Sequence, residues 1–365
     1  MKLHLLALPH TQVAESFLSC AYTQKVAKFC KMMGNSYPII LYAGADVSGT
    51  SGYAEHVECI SEGERTFHFG PGFNTVSTPL VWDSNMSYWQ LFASRAIPAL
   101  QARAQTRDLL LIIGGNAQKP ISDAVPLLYP VEWGVGYEGI YTNACAFESY
   151  SWMHHVYGLN KWRNGRAYDQ VIPNYFDPAD FLPVNDNPDS YLLYLGRVTV
   201  RKGPHIAGQI AARLGMKLLI AGPGGSQKAL GPIQGDGCTI EGNVRYLGEI
   251  TSKHERAQLL RNAACVLMPT LYVEPFGGVA IEAMMAGCPV VASDWGAFTE
   301  TINHQVGRRF RTLQQGCQAV IEAMGLDRQR IADYANRNFS LDAVRPMYAE
   351  WFGQIETLWG EGWAA

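Results

Sequence analysis

Short apolar runs that alternate with helix-forming stretches dominate this chain, and they leave few architectures open. In the second half, residues 191–195, 217–221, 244–247, 265–268 and 289–292 are each followed by a glycine-rich or polar turn and then by a helical pattern. Nearly continuous apolar strands separated by crossover helices belong to parallel sheets covered on both faces. Residues 3–8, 38–42, 109–113 and 126–131 carry the same scheme less regularly in the first half. A chain of 365 residues exceeds what one hydrophobic core serves, so two α/β domains are expected. The stretch 181–189, Phe-Leu-Pro-Val-Asn-Asp-Asn-Pro-Asp, has linker chemistry and sets the boundary. The expectation is an N-terminal Rossmann-like domain over 1–184, with a terminal helix at about 345–365 packed back on it, and a second Rossmann-like domain over 185–344. Two doubly wound sheets facing a central cleft would place ligands at the carboxyl ends of their strands.

Charge and cysteines narrow the setting. Lys and Arg total 29 against 32 Asp and Glu, a net charge of -3, so the molecule as a whole does not attract nucleic acid or anionic lipid. The eight cysteines show no C-x-x-C spacing and several sit in apolar runs, the pattern of reduced, buried thiols and of a cytoplasmic protein. The apolar run 3–8 is shorter than the roughly 7 to 15 residues of an export signal, and it reads as a first buried strand. The sequence contains no run of 18 apolar residues, so no membrane-spanning helix is expected.

The most specific motif is Glu274-Pro275-Phe276-Gly277-Gly278-Val279-Ala280-Ile281-Glu282, which follows a strand and opens a helix. Gly277 and Gly278 bare backbone N–H groups at a helix N-terminus, where unpaired donors and the positive end of the dipole favour phosphate. The competing reading is a capped helix with Glu282 as a solvated surface residue. Continued through Ala-Met-Met-Ala-Gly-Cys-Pro-Val-Val-Ala to Ser293, the spacing resembles the signature of the retaining GT-B glycosyltransferases of family four, the glycosyl transferases group 1. In that family an Arg and a Lys after the first strand of the second domain clamp the donor diphosphate. In Leu195-Gly196-Arg197-Val198-Thr199-Val200-Arg201-Lys202-Gly203, Arg197 and Lys202 hold those positions. Fixed cations suit a leaving nucleoside diphosphate, whose charge grows as the glycosidic bond breaks. Without the glutamate motif, the loop would read as a basic surface turn.

The resemblance adds donor contacts at Gly222 in Ala221-Gly222-Pro223-Gly224-Gly225, at Gly248 and Ile250 beside the nucleobase, and at Phe276. Val171-Ile172-Pro173-Asn174-Tyr175-Phe176-Asp177 resembles the family's segment before the interdomain linker. The likeness covers residues 170–365 well and the first half only in outline. There, Pro9-His10-Thr11-Gln12 replaces the usual glycine-rich loop, leaving His10 and Thr11 as acceptor candidates. Glu132 stands where many members have a His, and either orients substrate or is a structural carboxylate.

The resemblance implies transfer of a sugar from a nucleoside diphosphate sugar to a hydroxyl with retention. Glu282 would hold the ribose and Glu274 the sugar, with Arg197, Lys202 and Glu132 completing the catalytic set. A front-face attack makes Glu274 a binder, whereas a double displacement would make it a nucleophile. No cofactor is expected, and no metal, since no Asp-x-Asp pair occurs. A glycan or glycan precursor ranks first as acceptor. Lys25, Lys28 and Lys31 recur along one helix, either as a solvated basic face or as a peripheral contact with anionic lipid. Lys161-Trp162-Arg163-Asn164-Gly165-Arg166 interleaves bases with an aromatic, which keeps a hydroxylated base in DNA as an alternative acceptor. From other classes, the same fold serves phosphorylases, epimerases and non-catalytic nucleotide-sugar binding modules.

Overall fold

The computed structural model describes residues 1–17, 20–71, 80–229 and 231–358. Leu18, Ser19 and the last seven residues of the terminal helix expected at about 345–365 lie outside the described residues. The chain divides into two compact units. Unit 1 comprises 1–148, 153–175 and 344–365, and unit 2 comprises 149–152 and 176–343.

Unit 1 is built on a parallel sheet of β1 (Leu3–Leu6), β2 (Ile39–Gly44), β3 (Glu55–Ile60), β4 (Leu109–Ile112), β5 (Tyr129–Val135), β6 (Cys145–Phe147) and β7 (Gln170–Val171), in the order β3-β2-β1-β4-β5-β6-β7. The order reverses beside β1, the hallmark of a doubly wound sheet. The fourth strand expected in this half begins and ends later than residues 126–131. Leu127 is an exposed turn residue, and the strand runs on through the buried Glu132 and Trp133 to Val135. A carboxylate ordinarily interrupts a buried strand. Here it is satisfied by hydrogen bonds from the loop that follows, so the strand continues through it.

Unit 2 carries β8 (Tyr191–Leu195), β9 (Lys217–Ala221), β10 (Ser226–Gln227), β11 (Ile233–Gly235), β12 (Cys238–Ile240), β13 (Val244–Tyr246), β14 (Cys265–Met268), β15 (Val290–Ser293) and β16 (Gly307–Phe310). Six of these form a parallel sheet in the order β13-β9-β8-β14-β15-β16, while β10, β11 and β12 make a small antiparallel sheet. Successive side chains of a strand point to opposite faces. Leu193, Leu195, Leu219, Val266 and Met268 accordingly enter one buried cluster, and Leu192, Tyr194, Leu218, Cys265 and Leu267 enter another. Burial on both faces is why these strands read as unbroken apolar runs.

The chain passes from unit 1 to unit 2 between Tyr175 and Phe176. Tyr175 is buried and donates its hydroxyl to the Lys25 carbonyl of unit 1 (3.1 Å), whereas Phe176 pairs its backbone with Phe339 and Leu341 of unit 2. The polar stretch 181–189 therefore lies inside unit 2. The helix Leu341–Leu358 returns to unit 1 from Val344 onward, where Tyr348 and Phe352 pack on Phe29. Among the described residues no helix is long and apolar enough to cross a membrane.

Candidate active site

The site is assembled in unit 2 from the ends of two neighbouring strands. β8 ends at Leu195 and turns through Gly196 and Arg197 to a short helical turn, Val200–Lys202. β14 ends at Met268, and the chain runs through Thr270 and Glu274 to the helix Gly278–Met285. β8 and β14 pair directly, so the two loops emerge side by side. Together they line a recess of about 100 Å³ whose walls include Gly196, Arg197, Lys202, Glu274, Gly277 and Gly278.

Glu274 is the buried anion of this recess. Lys202 Nζ lies 2.8 Å from its Oε2, and the Tyr272 hydroxyl donates to the same oxygen at 2.6 Å. The Arg197 side chain is exposed and makes no hydrogen bond or ion pair with any described residue, so its charge is available at the mouth of the recess. Gly277 sits at φ +80°, ψ 55° as the N-cap of the helix, and no side chain caps the helix there. The Gly278 and Val279 N–H groups, without a partner among the described residues, thus lie at one end of a recess that also holds two cations, while the Ala280 N–H bonds the Gly277 carbonyl. That combination suits an anion of phosphate type and leaves one carboxylate beside it.

Residues 180–324 match the family model of the glycosyl transferases group 1. The matched stretch carries Arg197, Lys202, Glu274 and Glu282. An uncharacterized glycosyltransferase of Methanocaldococcus jannaschii is 36% identical over 125 residues, 32% of this chain and 30% of that protein. The glycogen synthase of Mycobacterium tuberculosis is 38% identical over 152 residues, 39% of this chain and 36% of its own. The phosphatidyl-myo-inositol mannosyltransferase of Mycolicibacterium smegmatis is 35% identical over 145 residues, 36% of each chain. The chain thus spans about a third of the length of these relatives. Among solved structures, AviGT4, a glycosyltransferase involved in avilamycin A biosynthesis, superposes with a TM-score of 0.68 at 17% identity, covering 99% of both chains. Anabaena HepE in complex with UDP-glucose gives 0.62 at 14% identity over 96% of this chain and 98% of that one. These likenesses establish the fold, which is GT-B, with two Rossmann-like units.

Other residues singled out in the sequence lie outside the lining of the recess. Glu282 is nearly buried and paired with Arg256, whose Nε donates to its Oε2 at 3.1 Å. The Phe276 ring is in the core against Phe339, so only its backbone is left for a ligand. Gly222 and Gly248 lie just past the ends of β9 and β13 and are joined by a Gly222 N–H bond to the Gly248 carbonyl at 2.8 Å, while Ile250 packs on the core. Tyr272 carries no motif of its own; it stands two residues before Glu274 in the loop that leads to the helix Gly278–Met285, and its hydroxyl reaches the Glu274 carboxylate.

In unit 1, His10 is buried beside Cys20, with Nε2 3.7 Å from Sγ, and burial followed by the Arg65 charge pulls its pKa down to about 4. Thr11 is buried and shares a 2.6 Å hydrogen bond with Thr23. Glu132 is fully buried, and burial raises its pKa. It accepts from the backbone N–H groups of Tyr141 and Thr142 at 2.9 Å, from the Thr142 hydroxyl at 3.0 Å and from the Tyr137 hydroxyl at 3.2 Å. These are the contacts of a structural carboxylate that shapes the 137–142 loop. Replacing Glu132 by Gln should lower stability by about 1 to 3 kcal/mol, because the Oε2 side keeps its donors on a neutral oxygen while an amide N–H₂ replaces the oxygen that accepts from the Tyr137 hydroxyl. Nucleotide-sugar hydrolysis by the folded fraction should stay at the wild-type rate, which thermal melts paired with a hydrolysis assay will check.

The basic features also resolve. Lys25 is buried and paired with Glu148 at 2.7 Å, so it is no part of an exposed face with Lys28 and Lys31. Packing beneath the helix Ala21–Met33 draws it inward, where it also donates to the Gly134 carbonyl. Arg166 stacks over Trp162, 4.6 Å from the ring centroid, and pairs with Asp169 at 3.0 Å, so two members of the 161–166 patch are engaged within unit 1.

Proposed function

We propose that this chain is a retaining glycosyltransferase that moves a sugar from a nucleoside diphosphate sugar to a hydroxyl acceptor. The observation that carries the reading is Glu274, a buried carboxylate beside Lys202 and Arg197 in a recess floored by the glycine-capped N-terminus of the helix Gly278–Met285. The family match over these residues and the glycosyltransferases among the relatives support it. Arg197, Lys202 and the N–H groups behind Gly277 would take the diphosphate, and Glu274 the sugar hydroxyls and the positive charge that develops at the anomeric carbon. In front-face attack, the bond from that carbon to the diphosphate oxygen breaks as the acceptor oxygen bonds to the same face. The acceptor proton passes to the departing phosphate oxygen. Lys202 and Arg197 neutralise the leaving group, so we expect turnover without a divalent metal, and EDTA should leave it intact.

Glu282 is assigned to the ribose, with Arg256 as its holder, and Gly222, Gly248 and Ile250 to the main-chain cradle of the nucleoside. A glycan or glycan precursor in the cytoplasm is the acceptor class that fits best with eight unpaired thiols and an engaged 161–166 patch. The test is a thermal-shift and hydrolysis panel of UDP-, GDP-, ADP- and dTDP-sugars. One nucleotide sugar should stabilise the wild type and release nucleotide slowly. Lys202→Ala should weaken its binding roughly 10- to 100-fold, the effect of losing a charge-assisted contact to phosphate. Equal response of wild type and Lys202→Ala to every donor would refute the assignment.

A further inference from the structure

We propose that Tyr272 is the positioning residue of this site, pinning one oxygen of Glu274 so that the other faces the donor sugar. The inference rests on the glycosyltransferase reading above. The Tyr272 hydroxyl and Lys202 Nζ converge on the same atom, Oε2 of Glu274, at 2.6 and 2.8 Å. Oε1 then has no partner among the described residues, although the Glu274 side chain is only 9% exposed. A carboxylate gripped at one oxygen by two donors cannot turn about its terminal bond without losing both. The free oxygen therefore has a fixed direction, and pre-orientation of this kind is what a substrate-binding carboxylate needs.

The ring of Tyr272 does a second job. Arg201 lies with its guanidinium carbon 4.4 Å from the ring centroid, and Lys202 Nζ lies 4.8 Å from it. The aromatic face thus holds two cations of the β8 loop at the edge of the recess. Tyr272 itself is anchored by its backbone, for Trp295 Nε1 donates to its carbonyl at 3.2 Å, and the neighbouring Leu271 N–H donates to the Arg201 carbonyl at 2.8 Å. Burial and the Glu274 charge push the phenol well above its usual titration range, so it stays a proton donor at every working pH.

The two donors on Oε2 differ in what a bound diphosphate does to them. Lys202 lines the recess, and its charge is drawn to any phosphate that enters. Tyr272 is neutral and does not line the recess, so nothing competes for its proton. When Lys202 is shared with the diphosphate, the Tyr272 hydroxyl is what keeps Glu274 from swinging after it.

Tyr272→Phe separates this role from a packing role, because it deletes the hydroxyl and keeps the cation shelf. Titration calorimetry on the full chain with UDP, GDP, ADP and dTDP, and with their glucose or mannose esters, gives the affinity that the sugar adds to the nucleotide. In Tyr272→Phe the nucleoside diphosphate should bind within about twofold of wild type, while the sugar's added affinity disappears and turnover falls roughly 10- to 100-fold, as expected for one hydrogen bond to a charged group. Tyr272→Leu, which also removes the shelf, should weaken the bare diphosphate as well. If wild type binds a donor and Tyr272→Phe retains the full sugar increment and turnover, this inference falls and the functional reading stands. A Tyr272→Phe chain that melts far below wild type also overturns it, since the hydroxyl would then serve the fold. A wild-type chain that binds no member of the panel overturns both.

Discussion

Glu274→Gln should lower sugar transfer and donor hydrolysis on the order of 100- to 1,000-fold while the protein stays folded, the range seen when one preorganised group facing developing charge is removed. The substitution keeps the volume and one accepting oxygen, so the Tyr272 hydroxyl and Lys202 can still donate to it. What disappears is the negative charge that faces the anomeric carbon as it turns positive, and with it the accepting oxygen that faces the sugar. The loss should therefore fall mainly on kcat, with a smaller rise in the donor KM, because Glu274 meets sugar hydroxyls in the ground state and developing charge in the transition state. Stability should change by no more than about 1 kcal/mol, since Lys202 is 30% exposed and water takes over its partner's role. Steady-state kinetics with the donor found in the panel, together with melts of both proteins, will decide it. Wild-type kcat in Glu274→Gln would remove Glu274 from the chemistry and leave the recess as a nucleotide-binding site only.

How far this site could be read ahead of the structure follows from how local its parts are. β8, β9 and β14 lie at 191–195, 217–221 and 265–268, as their apolar runs indicate, because both faces of each are buried and every residue in the run is apolar or a strand end. Arg197, Lys202, Glu274 and Gly277 follow directly after two of those strands, so their convergence needs nothing beyond the pairing of β8 with β14. The features that were not legible depend on distance or on very short elements. β10, β11 and β12 are two or three residues long within a stretch rich in glycine and polar residues, too short for any periodicity. Lys25 looks like one step of a basic helical face, and only Glu148, 123 positions away, explains why it is buried. Glu132 looks like a loop residue because the partners that let it sit inside a strand come from nine and ten residues further on. Arg256, the partner of Glu282, likewise comes from a helix that carries no motif of its own.

Gly277→Ala should cost much more stability than Gly248→Ala or Gly278→Ala, and the three glycines together explain why. Gly277 has φ +80°, and a Cβ built on it would lie 2.3 Å from Cε1 of Phe298, a ring with no exposure to solvent. Gly277→Ala therefore combines left-handed backbone strain with overpacking of a core that cannot yield cheaply, and should cost roughly 2 to 5 kcal/mol. Gly248 has nearly the same φ, +79°, but nothing within 4 Å of its Cβ position, so Gly248→Ala isolates the strain and should cost about 1 to 2 kcal/mol. Gly278 is the first residue of the helix, and its Cβ would meet only Phe176 Cζ at 3.4 Å. Gly278→Ala should stay within about 1 kcal/mol of wild type, because alanine suits a helix and the contact is near van der Waals distance. It nevertheless adds a methyl group to the wall of the recess, so its cost should appear in donor binding. Chemical denaturation of the three variants, alongside nucleotide-sugar titrations, tests both halves of the argument. Equal losses of stability at Gly277 and Gly248 would mean that Phe298 moves aside freely. Unimpaired donor binding in Gly278→Ala would mean that the diphosphate does not approach the helix N-terminus as closely as the functional reading requires.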